Sequence, residues 1–206
     1  MTARTERLII AFAAGLALLG IVFFAFSVFW HDDGRAGQTS SSSSSSALIK
    51  SDFELVDQTG SPIADEDFKG SWQLVFFGFT YCPDICPTTL DTVSAVMEAL
   101  GSDADSVAPL FITVDPERDT PDVMADYVAN FDSRIIGLTG SPEQIKAAAQ
   151  AFRVYYNKAE NTDAPDDYSM DHSAFLYLMG PNGEYVSHFS HNDDVEKIVA
   201  GIREKI

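Results

Sequence analysis

Apolar runs bounded by polar turns alternate along the chain with stretches in which apolar residues recur at helical spacing. Residues 72–79 form a nearly continuous apolar run rich in β-branched and aromatic side chains, which predicts a buried strand. Residues 108–114 and 134–138 have the same character, and apolar positions three and four residues apart follow each run. The repeated order of strand and helix predicts an α/β domain with a mainly parallel sheet covered on both faces.

Proline and hydroxyl residues predict where the helices begin. Thr120 and Ser141 have the character of N-caps, and each is followed by a proline at the first helical position. Inside a helix Pro87 would cost about 3 kcal/mol, so we expect the preceding helix to begin near Cys86 with Pro87 at its first position. Residues 82–85 are then expected to form an exposed turn.

Both ends of this core predict β-hairpins. Residues 53–63 predict two short strands about a turn at residues 58–61, and residues 173–179 and 184–188 flank a Pro-Asn-Gly turn. The other expected elements are a short strand at 153–157, an acidic surface loop at 158–167 and a final helix at 195–202. A βαβ unit followed by a hairpin and a helix is the plan of a thioredoxin-like fold, to which the first hairpin would be an N-terminal extension.

The N-terminal segment predicts a membrane anchor. Residues 8–30 contain no charged residue, and as a helix they are long enough to cross a hydrocarbon core of roughly 30 Å. Arg4 and Arg7 precede them, so the positive-inside rule places residues 1–7 in the cytoplasm. The alternative is a cleaved signal peptide, for which Ala25-Phe-Ser27 is a weak site.

The segment after the anchor predicts a tether and then one domain. Residues 31–46 include an unbroken serine run and predict a flexible linker. Residues 47–206 are expected to form the thioredoxin-like domain on the periplasmic side of the inner (cytoplasmic) membrane, in a single-pass protein. The net charge of −18 falls in this domain, which argues against nucleic acid or an anionic lipid surface as a partner and suits a basic protein or simple solubility.

Both cysteines lie where the first strand passes into its helix, and they are the main candidates for chemistry. Two thiols four positions apart can form a structural disulfide, exchange disulfides with a partner or hold a soft metal. The position of Cys86 at a helix N-terminus predicts a stabilised thiolate there. Among the histidines, His172 directly precedes a predicted strand, whereas His188 and His191 are expected at the surface and His31 at the membrane edge.

The chain resembles the SCO/SenC family of copper-binding assembly factors for cytochrome c oxidase. The resemblance covers about residues 50–206, and its motifs lie at 77–87, 114–121, 137–140, 171–172 and 177–183. It implies that Cys82, Cys86 and His172 bind copper as Cu(I) and Cu(II), with His172 where thioredoxin-like folds have a cis-proline opposite the cysteines. The same two cysteines would form a redox disulfide.

Further site residues follow with less direct support. Asp171 is a candidate to orient a ligand, and Asp115 and Asp119 are candidates to order the loops of the site. Met170 could add a thioether. Tyr81 departs from the family pattern, in which histidine often precedes the first cysteine.

The resemblance implies a membrane-anchored copper metallochaperone rather than an enzyme. Its expected partners are cytochrome c oxidase subunit II, whose binuclear copper site it would help to assemble, and other periplasmic copper chaperones. Two alternatives stay open: a thiol–disulfide reductase acting on the cysteines of that subunit, and a peroxiredoxin-like peroxidase, because Thr80 stands two positions before Cys82.

Overall fold

The computed structural model of the protein describes residues 49–159 and 168–206. Nine strands and four α-helices lie in these residues. The strands are β1 (Glu54–Asp57), β2 (Pro62–Ala64), β3 (Trp72–Gly78), β4 (Val107–Thr113), β5 (Ile136–Thr139), β6 (Tyr156–Ala159), β7 (Ser169–His172), β8 (Phe175–Met179) and β9 (Tyr185–Ser190). The helices are α1 (Ile85–Leu100), α2 (Pro121–Val128), α3 (Pro142–Phe152) and α4 (Val195–Arg203).

Seven strands form one mixed sheet in the order β2-β1-β5-β4-β3-β8-β9. Only β3, β4 and β5 run parallel to one another, while β1, β2, β8 and β9 join by antiparallel pairing. The expectation of a mainly parallel sheet is therefore wrong, because both hairpins extend the same sheet. Strand β3, whose carboxyl end leads to the cysteines, is an interior strand of this sheet and lies between β4 and β8.

Alternate residues of the central strands face the helices on the two sides of the sheet. Phe76 stacks on Phe111, which packs against Tyr127 of α2. On the other face Phe77 packs edge-on against Phe152 of α3. All four of these phenylalanines are buried. The prediction that helices cover both faces of the sheet is therefore confirmed.

Local side-chain cues position two of the helices as predicted. The Thr120 hydroxyl accepts from the Val123 amide at 3.4 Å, and the Ser141 hydroxyl accepts from the Gln144 amide at 3.2 Å. The start of α1 differs slightly, because the helix begins at Ile85 and Pro87 occupies its third position. That position still lies among the first amides, which have no acceptor within the helix, so proline is tolerated there.

The segment before β8 forms a small separate sheet that the sequence pattern did not predict. Strand β6 pairs antiparallel with β7, and Tyr156 stands opposite His172. His172 is therefore the last residue of a strand, not a loop residue before one. Residues 160–167, most of the predicted acidic loop, lie outside the described part of the chain.

The predicted anchor and linker also lie outside the described residues. Within residues 49–159 and 168–206, no helix is long and apolar enough to cross a membrane.

Candidate metal centre

The two cysteines occupy different environments at the start of α1. Cys86 is completely buried in the first turn, whereas Cys82 is half-buried in the preceding turn. Close approach of Cys86 to the sheet depends on Gly78 at the end of β3. A Cβ at Gly78 would lie 2.9 Å from Cys86 Sγ and 2.8 Å from Cε2 of Phe111.

His172 faces the cysteines from the end of β7. Its Nε2 lies 3.7 Å from Sγ of Cys86, and its Nδ1 lies 3.2 Å from the carbonyl oxygen of Ser173. An Nδ1–H donated to that carbonyl leaves the lone pair of Nε2 directed at the sulfur. Burial lowers the pKa of His172, which favours the neutral imidazole that a metal requires.

Aromatic rings restrict the imidazole. The ring of Phe76 packs edge-on at 6.1 Å between centroids, and the ring of Phe79 does so at 5.9 Å. Both phenylalanines are buried, one within β3 and one directly after it. The strand that leads to the cysteines thus also supports the imidazole ring of His172.

The pKa shifts of the pair favour the thiolate on Cys82, contrary to the expectation that the helix would stabilise it on Cys86. A hydrogen bond from the Cys86 thiol is the main cause that lowers the pKa of Cys82 to about 5, and the Cys86 amide adds a donor 3.4 Å from Sγ. The same hydrogen bond and burial raise the pKa of Cys86. The first-turn amide of α1 therefore favours charge on the cysteine that precedes the helix.

The distance between Cys86 and His172 fits two ligands of one metal ion. With metal–sulfur and metal–nitrogen bonds of about 2.3 and 2.0 Å, as at zinc, two ligands at an angle near 120° stand about 3.7 Å apart. Within the described residues, however, no three side chains of His, Cys, Asp or Glu already form a group that could hold an ion. A centre with three ligands therefore requires the side chains to adjust when the metal binds.

A cleft of about 320 Å³ opens onto Cys82 and His172. It is lined by Phe79, Cys82, Pro83, Asp84, Ile85, Ser169, Met170, Asp171, His172 and Ala174. Met170 is 9% exposed and is part of the hydrophobic core as well as the cleft wall, while Asp171 is exposed at the cleft. The cleft thus joins the cysteine turn to β7.

The two aspartates that follow β4 order the loops around this cleft. Asp119 is completely buried and accepts hydrogen bonds from the amide and hydroxyl of Thr80, at 3.0 and 2.6 Å, and from the Thr113 hydroxyl at 2.5 Å. Asp115 is paired with Arg118 and accepts the Tyr168 hydroxyl at 2.8 Å. Sequence reasoning missed Arg118 and Tyr168, because only the paired fold brings them together across 50 positions.

The remaining histidines described by the structure do not line the cleft. His188 lies on the exposed edge strand β9, and its Nδ1 shares a hydrogen bond of 2.6 Å with the Tyr185 hydroxyl. Nδ1 of His191 lies 3.2 Å from the carbonyl oxygen of Ala174. His31 lies outside the described residues.

Comparison with known proteins identifies the family. A model of the SCO1/SenC family matches residues 41–206. The chain belongs to the SCO1/SenC family. Protein sco1 of Schizosaccharomyces pombe is 46% identical over 152 residues, which span 73% of this chain and 58% of that protein. The mitochondrial SCO2 homolog of Mus musculus is 41% identical over 206 residues, which span 98% of this chain and 79% of that protein.

Solved SCO1/SenC structures share the fold. The copper-bound structure of Bradyrhizobium japonicum ScoI is 43% identical, with a TM-score of 0.70 over 77% of this chain and 99% of that one. Copper-bound yeast Sco1 is 36% identical, with a TM-score of 0.69 over 77% of this chain and 91% of that one. The mixed α/β, thioredoxin-like fold of this family is therefore confirmed, with the first hairpin as its N-terminal extension.

Proposed function

We propose that this SCO1/SenC protein is a copper chaperone for the assembly of cytochrome c oxidase, with Cys82, Cys86 and His172 as the copper ligands. The observation that carries the proposal is the 3.7 Å approach of His172 Nε2 to Cys86 Sγ, with Nδ1 engaged by a backbone carbonyl. Copper-bound relatives of the same fold support copper as the metal. Two sulfurs and one imidazole form a soft donor set, which suits Cu(I).

Each proposed ligand has a distinct task. Cys82 enters as a thiolate, while Cys86 has to release its proton when copper binds, because only the thiolate is a ligand. His172 supplies a neutral nitrogen, which helps to accommodate Cu(II) beside Cu(I). The buried side of the pair holds the metal, and the half-buried side faces the cleft through which copper would arrive and leave.

The family resemblance and the charge of the chain support a proposal for the partners. We propose delivery to the binuclear copper site of oxidase subunit II, with other periplasmic copper chaperones as donors. A net charge of −18 favours partners that present a basic face and disfavours nucleic acid.

A membrane anchor at residues 8–30 is part of the proposal, with the domain in the periplasm. A protease added outside spheroplasts should then digest the domain. Protection of the domain would overturn the orientation, and a mature protein that begins after Ser27 would overturn the anchor.

The ligand assignment is tested with a matched pair of histidine variants. In His172→Ala, Cu(I) should still bind through both sulfurs, whereas Cu(II) affinity should fall by at least the 10–100-fold typical of residues that only orient a ligand. X-ray absorption should report a lost nitrogen neighbour. His188→Ala is the control, because His188 is bonded to Tyr185 on the exposed edge of the sheet. A wild-type nitrogen shell in His172→Ala would overturn the assignment.

The asymmetry of the thiols supports thiol–disulfide reduction of subunit II as a second candidate function. A half-buried thiolate at Cys82 can attack a disulfide, and the buried Cys86 can then resolve the mixed disulfide. Cys86→Ser should trap a mixed disulfide through Cys82 with an oxidised subunit II fragment if reduction is the task.

Retained tight Cu(I) binding by the oxidised protein would argue against a copper role for the dithiol.

A peroxidase function has less support from the site. The Thr80 hydroxyl donates to Asp119 at 2.6 Å. It is therefore committed to the loop rather than to a peroxide held at Cys82.

A further inference from the structure

The guanidinium of Arg118 is fixed against the start of the segment that carries His172. Its Nη1 donates to the backbone carbonyl of Tyr168 at 2.9 Å, and its Cζ lies 3.7 Å from the centroid of the Tyr168 ring. Nε donates to Asp115, whose carboxylate also accepts the Tyr168 hydroxyl at 2.8 Å. Because several contacts converge on Tyr168, four positions before His172, Arg118 holds the approach to β7 against the loop after β4.

The same guanidinium also contacts the turn that carries Cys82. The ring of Tyr81, the residue before Cys82, has its centroid 4.7 Å from Arg118 Cζ. Tyr81 is 60% exposed, so its ring adds little to the core. A cation within about 6 Å of an aromatic face is attracted to it, and Arg118 therefore has favourable contacts with both tyrosines.

Arg118 makes these contacts at a cost to folding. Within the described residues its Nη2 is buried without a hydrogen-bond partner. A buried donor left without a partner destabilises the folded state. An apolar side chain of similar length would fill the space but would leave the buried carboxylate of Asp115 without its cation and the Tyr168 carbonyl without this donor.

We propose that Arg118 is a positioning residue, which sets the separation of Cys82 and His172 and thereby the affinity of the centre for Cu(II). The inference rests on the proposed function and deepens it. Two thiolates can hold Cu(I) by themselves, whereas Cu(II) depends on the imidazole. Lysine cannot replace Arg118, because its single ammonium cannot pair with Asp115, donate to a carbonyl and stack on two rings together.

The first test compares Arg118→Met and Arg118→Lys with the wild-type protein. Both variants should bind Cu(II) about 10–100-fold more weakly and lose the nitrogen neighbour in X-ray absorption, while both sulfur neighbours of Cu(I) remain. Arg134→Met is the matched control. Arg134 pairs with Asp132 through Nε and Nη2 at 2.8 and 2.7 Å, and Asp132 and Arg134 do not line the cleft.

A second pair of variants keeps the test independent of folding. Because Tyr81 is exposed, Tyr81→Leu should fold and weaken Cu(II) binding in the same direction, whereas Tyr81→Phe keeps the aromatic face and should bind as the wild type does. In the copper-free protein, amide hydrogens of β6 and β7 should exchange faster in Arg118→Met or, if that variant does not fold, in Arg118→Lys.

The outcomes separate the two proposals. If Arg118→Lys and Tyr81→Leu bind Cu(II) with the affinity and the nitrogen neighbour of the wild-type protein, the role of Arg118 is overturned. The proposed function then stays intact. If copper bound to the wild-type protein does not have His172 as a neighbour, both the ligand assignment and the role of Arg118 are overturned.

Discussion

The backbone amide of Cys86 lies 3.4 Å from Sγ of Cys82, so the helix that contains one cysteine stabilises charge on the other. The Cys86 thiol adds the stronger hydrogen bond, and that hydrogen bond together with burial raises the pKa of Cys86. A dithiol of this kind has one reactive and one protected sulfur. That division governs how the pair meets reagents, metals and partner disulfides.

The thiol asymmetry predicts a distinct pH profile for alkylation. In the reduced protein, iodoacetamide should label Cys82 with a rate that rises to a plateau through a midpoint near pH 5, while Cys86 stays unlabelled. In Cys86→Ala the midpoint should move up, because the thiol donor is gone. Mass spectrometry of the labelled peptide measures both rates, and a wild-type midpoint near the ordinary value of 9.0 would contradict the assignment.

The same lowered pKa predicts how stability depends on pH. The folded-state pKa of Cys82, about 5, lies below its ordinary value of 9.0. Its ionisation therefore stabilises the reduced fold fully above about pH 9, and this contribution is lost as the pH falls towards 5. In urea unfolding, the free energy of unfolding of the wild-type protein should rise relative to that of Cys82→Ser as the pH increases through this window. A constant difference between the two proteins would refute this.

Gly78 is predicted to control the position of Cys86. In Gly78→Ala, the added carbon would meet Cys86 Sγ and the Phe111 ring at contacts below 3.0 Å within a packed core. We expect the free energy of unfolding to fall by about 1–3 kcal/mol, and copper affinity to fall as Cys86 is displaced. Gly140→Ala is the control, because its closest contact would be Oε1 of Gln144, which does not line the cleft. Equal copper affinity in both variants would remove Gly78 from the site.

Asp119 is predicted to hold the cysteine turn. Asp119→Ala leaves the Thr80 amide, the Thr80 hydroxyl and the buried Thr113 hydroxyl without their acceptor, which should cost about 1–3 kcal/mol or more in unfolding free energy. The Thr80 amide should also exchange its hydrogen faster. Asp171→Ala, at an exposed position beside the cleft, should leave both properties unchanged. If Asp171→Ala weakens the fold as much as Asp119→Ala, the loop has another anchor.

The sequence predicted those parts of the fold that depend on local chemistry. The caps at Thr120 and Ser141 were found because a hydroxyl followed by proline is a local pattern. The strand predicted at 153–157 lies three residues later, as β6 at 156–159, and β7 was missed, because short polar strands of this kind gain their pairing only from each other. The mixed sheet was missed for a similar reason, since the direction of an outer strand depends on which edge its hairpin joins.

The site was predictable only in part. Cys82 and Cys86 are obvious from their spacing, but His172 lies 86 positions from Cys86 and was reached through family resemblance. The location of the thiolate depends on which thiol donates, and that requires coordinates. Arg118 acts through contacts to Tyr81 and Tyr168, which no periodicity or spacing in the chain encodes.

The N-terminal hairpin also decides how the domain behaves toward copies of itself. Strand β1 pairs along β5, and the new outer strand β2 has only three residues and begins at Pro62, which has no amide hydrogen to donate. Without the hairpin, β5 would present open backbone groups from a hydrophobic sheet, a template for adding strands from neighbouring molecules. A short outer strand that starts with proline gives an incoming chain little to extend, so the hairpin protects this side of the domain against aggregation.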